Sequence, residues 1–128
     1  MGEDLKGLFS EFVSKLRALR KWADRERVRV FEPILGEGLC DEVVERVQAL
    51  IDVLGRVEER IRLYEREIAD HLDSVDEGLR KLTESEEYRF LISERGMERL
   101  MELRERLGDV RSIYLPYTVK RDEVVEDG

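Results

Sequence analysis

Apolar residues recur in steps of three and four along most of this chain, the period of one face of a helix. The longest run is Cys40, Val43, Val47, Leu50, Leu54, Val57, Ile61, Tyr64 and Ile68. It is an unbroken heptad seam and predicts one long helix over about 39–72, some ~50 Å in length at about 1.5 Å per residue. Gly55 lies inside this helix; it costs about 1 kcal/mol relative to Ala and predicts a partner backbone close by. Past Ile68 a strict heptad leads to His71, Val75, Gly78 and Leu82, whereas a step of four leads to Leu72, Val75, Leu79 and Leu82. The second set is the more apolar, which predicts a stutter in the seam. The alternative is a helix end or kink at 72–74, with Ser74 and Glu77 at capping-box spacing.

Upstream, Leu5, Leu8, Phe9, Phe12, Leu16, Leu19 and Trp22 predict an amphipathic first helix over 3–24, its face widened by Val13 and Ala23. Residues 25–35 break the period. Val28, Val30 and Phe31 alternate with Arg27 and Arg29, which suggests an extended connector or short strand, ended by Pro33 and Gly36-Glu37-Gly38. Downstream, Thr83 offers a cap before a short helix at 86–92, and Ser93 a cap for a last helix over 94–107 that Gly108 terminates. Residues 112–119 are aromatic and β-leaning; Pro116 restricts them to an edge strand that could pair with 27–31.

The expected fold is therefore all-α: an elongated antiparallel helical bundle organised on the long heptad helix, with at most a small two-stranded accessory. One helical domain over 1–121 would precede an acidic tail, 122–128. A seam this regular exceeds what a 128-residue core needs. That excess predicts a homodimer or a hetero-assembly with another helical protein, formed by pairing of the long helices as in a coiled coil. Apolar and aromatic positions would be its hot spots: Trp22, Leu54, Val57, Ile61 and Tyr64, with Tyr114 and Tyr117 as a second patch.

Composition sharpens this picture. Charged residues make up 42% of the chain, against the ~25% of an ordinary domain, and the net charge is −8. Asparagine is absent and Gln48 is the only glutamine, a pattern expected of a thermophile protein. Cys40 is the lone cysteine, which excludes an internal disulfide and a cysteine zinc site. Met1-Gly2-Glu3-Asp4 has no signal-peptide character, and no stretch approaches a membrane span. A cytoplasmic, soluble protein with no membrane association is expected.

Candidate chemistry is sparse. No glycine-rich phosphate loop and no Gly-x-Ser-x-Gly elbow occurs, and no cofactor is implied. His71, the single histidine, stands four residues after Glu67 and beside Asp70 and Asp73. Glu67 and His71 could hold a metal only with groups from another chain; the plainer expectation is a histidine whose pKa is raised by acidic neighbours. Arg66-Glu67-Ile68-Ala69-Asp70-His71 has an Arg-x4-His spacing. It resembles the motif of the HEPN family of small, all-α, dimeric ribonucleases. The resemblance implies that Arg66 and His71 would meet across a dimer cleft and cleave RNA, although Glu67 stands where that family usually carries a small polar residue. Finally, residues 15–29 carry a net +5 in this acidic chain. Arg17, Arg20, Lys21, Arg25, Arg27 and Arg29, with Trp22 among them, could contact a nucleic-acid backbone. The favoured expectation is that these bases meet acidic faces of the same protein or of its partner. The function expected first is thus a non-catalytic assembly subunit, ahead of a nucleic-acid-associated subunit or a ribonuclease.

Overall fold

A computed structural model describes residues 2–54 and 65–127, with side-chain surroundings described for 7–54 and 66–113. The chain forms α1 (Gly2–Arg25), α2 (Glu32–Leu35), α3 (Glu37–Leu54), α4 (Glu65–Glu84) and α5 (Glu94–Asp127), with a π-helical turn at Arg27–Phe31 and a 3-10 turn at Arg89–Leu91. No strand occurs among the described residues.

Four helices build an up-down-up-down bundle. Each of the pairs α1–α3, α3–α4, α4–α5 and α5–α1 is in contact. Polar ties give the directions. Lys15 meets Glu102 at 3.2 Å and Arg106 meets Glu11 at 3.1 Å, so α1 and α5 are antiparallel. Arg104 lies 3.5 Å from Glu84 and Arg111 2.9 Å from Asp73, so α4 and α5 are antiparallel too. Each helix turns one apolar stripe inward. On α1 these are Phe9, Phe12, Leu16, Leu19 and Ala23; on α3 Cys40, Val43, Val47, Leu50 and Leu54; on α5 Leu100, Leu103, Leu107 and Val110. Burying such stripes is what holds short helices together in water.

The single 39–72 helix does not form. Arg46 of α3 reaches Nδ1 of His71 in α4 at 3.0 Å, whereas 25 residues of straight helix would separate them by about 37 Å. α3 and α4 instead pack against each other, and Ile68 of the seam is buried in the same core as Val43, Val47, Leu50 and Leu54. The reason lies in the burial available. Packing of α4 on α3 within one chain lets Val43, Val47, Leu50 and Leu54 leave water without a second protomer. A close approach falls at Gly78; Gly55 lies outside the described residues. A Cβ built on Gly78 would sit 2.5 Å from Cγ2 of Val43. Leu72, Val75, Leu79 and Leu82 are all buried, as the step of four predicts. No break occurs at 72–74, and Ser74 lies within α4.

Further differences lie outside the bundle core. The alternating stretch 27–31 is a π-turn and not a strand: Phe31 N–H reaches back five residues to the Glu26 carbonyl at 3.3 Å. The turn places the consecutive Val30 and Phe31 in the core while Val28 stays 77% exposed. Gly36 then supplies the φ of +82° needed to turn from α2 into α3. The expected helix at 86–92 is only the 3-10 turn. Ser93 does cap α5, accepting the Gly96 N–H at 3.0 Å. Gly108 does not end that helix, which runs on through the β-leaning 112–119 stretch and past 121 to Asp127. Helical continuation satisfies the backbone without a pairing strand, and the 27–31 stretch expected to provide one is itself helical.

Candidate functional site

His71 comes first, as the residue with the most distinctive chemistry. It is 8% exposed on α4, with the α3 helix above it. Arg46 donates to Nδ1, so the proton of the neutral ring sits on Nε2. Nε2 faces Glu67 Oε1 at 3.6 Å, too long for a hydrogen bond, and has no other partner among the described residues. The His71 pKa is lowered, not raised. Burial is the main cause and the Arg46 charge the second, and together they outweigh the carboxylates of Glu67 and Asp70. Arg66 is exposed and is not the arginine beside His71. Five residues of α-helix place the two on faces about 140° apart. No group of three or more His, Cys, Asp or Glu side chains is placed to hold a metal ion among the described residues.

Cys40 is fully buried and its thiol pKa is raised, chiefly by that burial. It is a packing residue of α3. Leu54, expected at an interface, is buried in the chain's own core. Val57, Ile61 and Tyr64 lie outside the described residues, as do the side chains of Tyr114 and Tyr117.

The basic 15–29 segment is largely consumed locally. Arg20 pairs with Asp24, and Arg29 with Glu26 at 2.7 Å. Arg27 joins Glu32 at 2.7 Å and also Asp41 of α3, and its guanidinium is held still more firmly protonated by both. Lys15 meets Glu102. Arg17, Lys21 and Arg25 form no ion pair among the described residues.

A cleft of about 620 Å³ opens where α1, the 3-10 turn and the start of α5 converge. Leu19, Trp22, Leu91, Leu100 and Leu103 contribute apolar wall, and Arg25, Arg29, Arg95 and Arg99 line it with cations. Trp22 is fixed in place from two sides. Its indole N–H donates to Glu26 at 2.8 Å, and its ring stands edge-to-face with Phe31, centroids 5.1 Å apart. Gly96 makes room for it: a Cβ there would lie 3.1 Å from Trp22 Cη2. Phe90, also lining the cleft, is 81% exposed. On the adjoining face of α5, Met97 and the half-exposed Met101 extend the apolar surface. Arg95 and Arg99 form no ion pair among the described residues, like Arg25. The N-terminus of α5 adds its own partial positive charge on this side.

Sequence reasoning found Trp22 and the α1 arginines but missed Phe90, Arg95 and Arg99. The signal available was Phe90 in a short segment with no face to bury it, followed by two arginines one turn apart on α5. No protein-family model matches this chain, and no curated protein or solved structure is significantly similar to it.

Proposed function

We propose that this protein is a non-catalytic helical interaction subunit that docks an acidic protein segment in the cleft between α1, the 3-10 turn and α5. The observation that carries this is Phe90. An 81% exposed phenylalanine at the cleft, beside the braced ring of Trp22, is a large apolar group left in water. Aromatic residues, methionine and arginine are the types enriched in protein interfaces and their hot spots. Arg25, Arg95 and Arg99 give the cleft a positive field in a chain of net charge −8, which selects an acidic occupant. A nucleic-acid occupant fits less well, because Arg20, Arg27 and Arg29 are neutralised by carboxylates of the chain itself and the rest of the surface repels a polyanion. His71 carries no chemical step in this role, its ring being buried and held by Arg46. Among the described residues of the heptad seam, Cys40, Val43, Val47, Leu50, Leu54 and Ile68 are buried within the chain itself, which favours the cleft over them as the docking surface.

A photo-cross-linking residue at position 90 of the full chain tests this in the native host. The expected result is a specific protein adduct, reduced at least about tenfold by Arg95→Glu with Arg99→Glu while the helical circular dichroism is unchanged. Absence of any protein adduct at position 90, or equal capture from position 17 on the outer face of α1, overturns it.

A further inference from the structure

We infer that the occupant of this cleft is an amphipathic, acidic helix of another protein, about three turns long, lying lengthwise between α1 and α5. This rests on the cleft being a docking site and adds the conformation, length and charge pattern of what docks. The cleft is a trough rather than a round pocket. On α1 its wall is Ser14, Ala18, Trp22 and Arg25, at steps of four, four and three, a single stripe along the helix. On α5 the facing wall runs from Arg95 to Leu103, and that helix is antiparallel to α1. Both ends are marked. The Lys15–Glu102 ion pair, at 3.2 Å, crosses from α1 to α5 at one end, and Arg106–Glu11 crosses at 3.1 Å beyond it. Phe90 and Arg29 stand at the other end. From Lys15 to Arg25 the trough follows α1 for about 15 Å, nearly three helical turns.

The walls select a helix over an extended segment. Leu19, Leu100 and Leu103 at the base offer no hydrogen-bonding side chain, and the backbone groups flanking that base are bonded within α1 and α5. An extended chain lying there would leave its own N–H and C=O groups unpaired toward the base, whereas a helix pairs them internally. Ser14 and Ala18 are exposed and small, so an incoming helix comes close to α1 without displacing a long side chain. Charge sets the rest of the pattern. Arg25, Arg95 and Arg99 form no ion pair among the described residues and lie toward the Phe90 end. Arg95 and Arg99 stand one turn apart on α5, about 6 Å, so carboxylates four apart on the occupant face both. Apolar residues on the adjoining stripe of the occupant, again three and four apart, then meet Ala18, Trp22 and Leu91.

Two synthetic peptides of about 14 residues, identical in composition and free of tryptophan, test this against the full chain; helices that short are marginal in water, so helix gained on binding is measurable. The first places Leu at steps of three and four and Glu pairs four apart toward one end. The second has the same residues in an order that breaks the helical period. Trp22, the only tryptophan of the chain, reports occupancy through its emission. The first peptide is expected to shift that emission, to gain helical circular dichroism, and to bind at least about tenfold more tightly than the second. Arg95→Glu with Arg99→Glu is expected to weaken it about tenfold or more, and a version of the first peptide with Lys in place of Glu to restore binding to that variant. Equal binding of the two peptides, binding without a gain of helix, or no binding by either overturns the assignment. So does displacement of the first peptide by an equal amount of single-stranded oligonucleotide, or a dimer of the chain that the first peptide dissociates, which would make a second copy the occupant. If the two peptides bind equally, or neither binds while position 90 still captures a protein, the docking cleft stands and only the helical occupant is wrong; if neither binds and position 90 captures nothing, both fail.

Discussion

Arg46 on α3 donates to His71 Nδ1 on α4 across 3.0 Å, and that contact ties the two antiparallel helices together. It fixes the ring neutral in the folded protein, since a protonated His71 would lose its acceptor and face the Arg46 charge. The folded-state pKa of His71 lies below its ordinary value of about 6.5. The unfolded chain therefore binds the proton more readily, and the stability contributed by neutral His71 is present above pH 6.5 and lost as pH falls below it. Urea unfolding at pH 7, 6 and 5 is expected to show a falling midpoint in the wild type. In His71→Leu that fall is expected to be shallower; equal slopes in both proteins would show that the histidine is not the titrating group.

Gly78 and Gly108 are expected to respond to alanine in opposite directions. At Gly78 the new methyl meets Cγ2 of buried, β-branched Val43 at 2.5 Å, and overpacking of this kind destabilises by about 1–3 kcal/mol. At Gly108, within α5, nothing lies within 4 Å, and removing backbone freedom from a helix interior stabilises by about 0.5–1 kcal/mol. Thermal melts of the two variants decide this. Gly78→Ala melting no lower than wild type would mean that α3 and α4 are less closely approached there.

Ser93→Ala removes the side-chain acceptor of the Gly96 N–H at the start of α5. The expected loss is about 1 kcal/mol, with faster amide exchange concentrated at Gly96. Ser93→Asp is expected to keep the cap and add a favourable charge at the helix N-terminus.

Phe90→Ser is expected to leave folding unchanged within about 0.5 kcal/mol, because the ring is 81% exposed and buries little against its own chain. Leu79→Ala, fully buried in α4, is expected to lose about 2–5 kcal/mol under the same denaturant titration. A large loss for Phe90→Ser would make that ring a packing residue and remove the central support for the docking cleft.

What the amino-acid order determined by itself is the local part of this protein. The stripes of α1, α3 and α4, the step from Ile68 to Leu72, and the Ser93 cap follow from periodicities of three and four and from one hydroxyl, interactions that span a single turn. Tertiary structure decided the rest. A heptad seam has the same spacing whether it faces a second chain or folds back onto itself, so the hairpin of α3 and α4 is invisible in the pattern and is settled by which surface leaves water. His71 illustrates the consequence. Its sequence neighbours are acidic and would raise its pKa, but Arg46, distant in sequence, and burial under α3 lower it. The cleft is likewise a product of packing. Trp22, Phe90 and Arg95 come from three separate segments, and only the antiparallel docking of α1 on α5 puts them around one space.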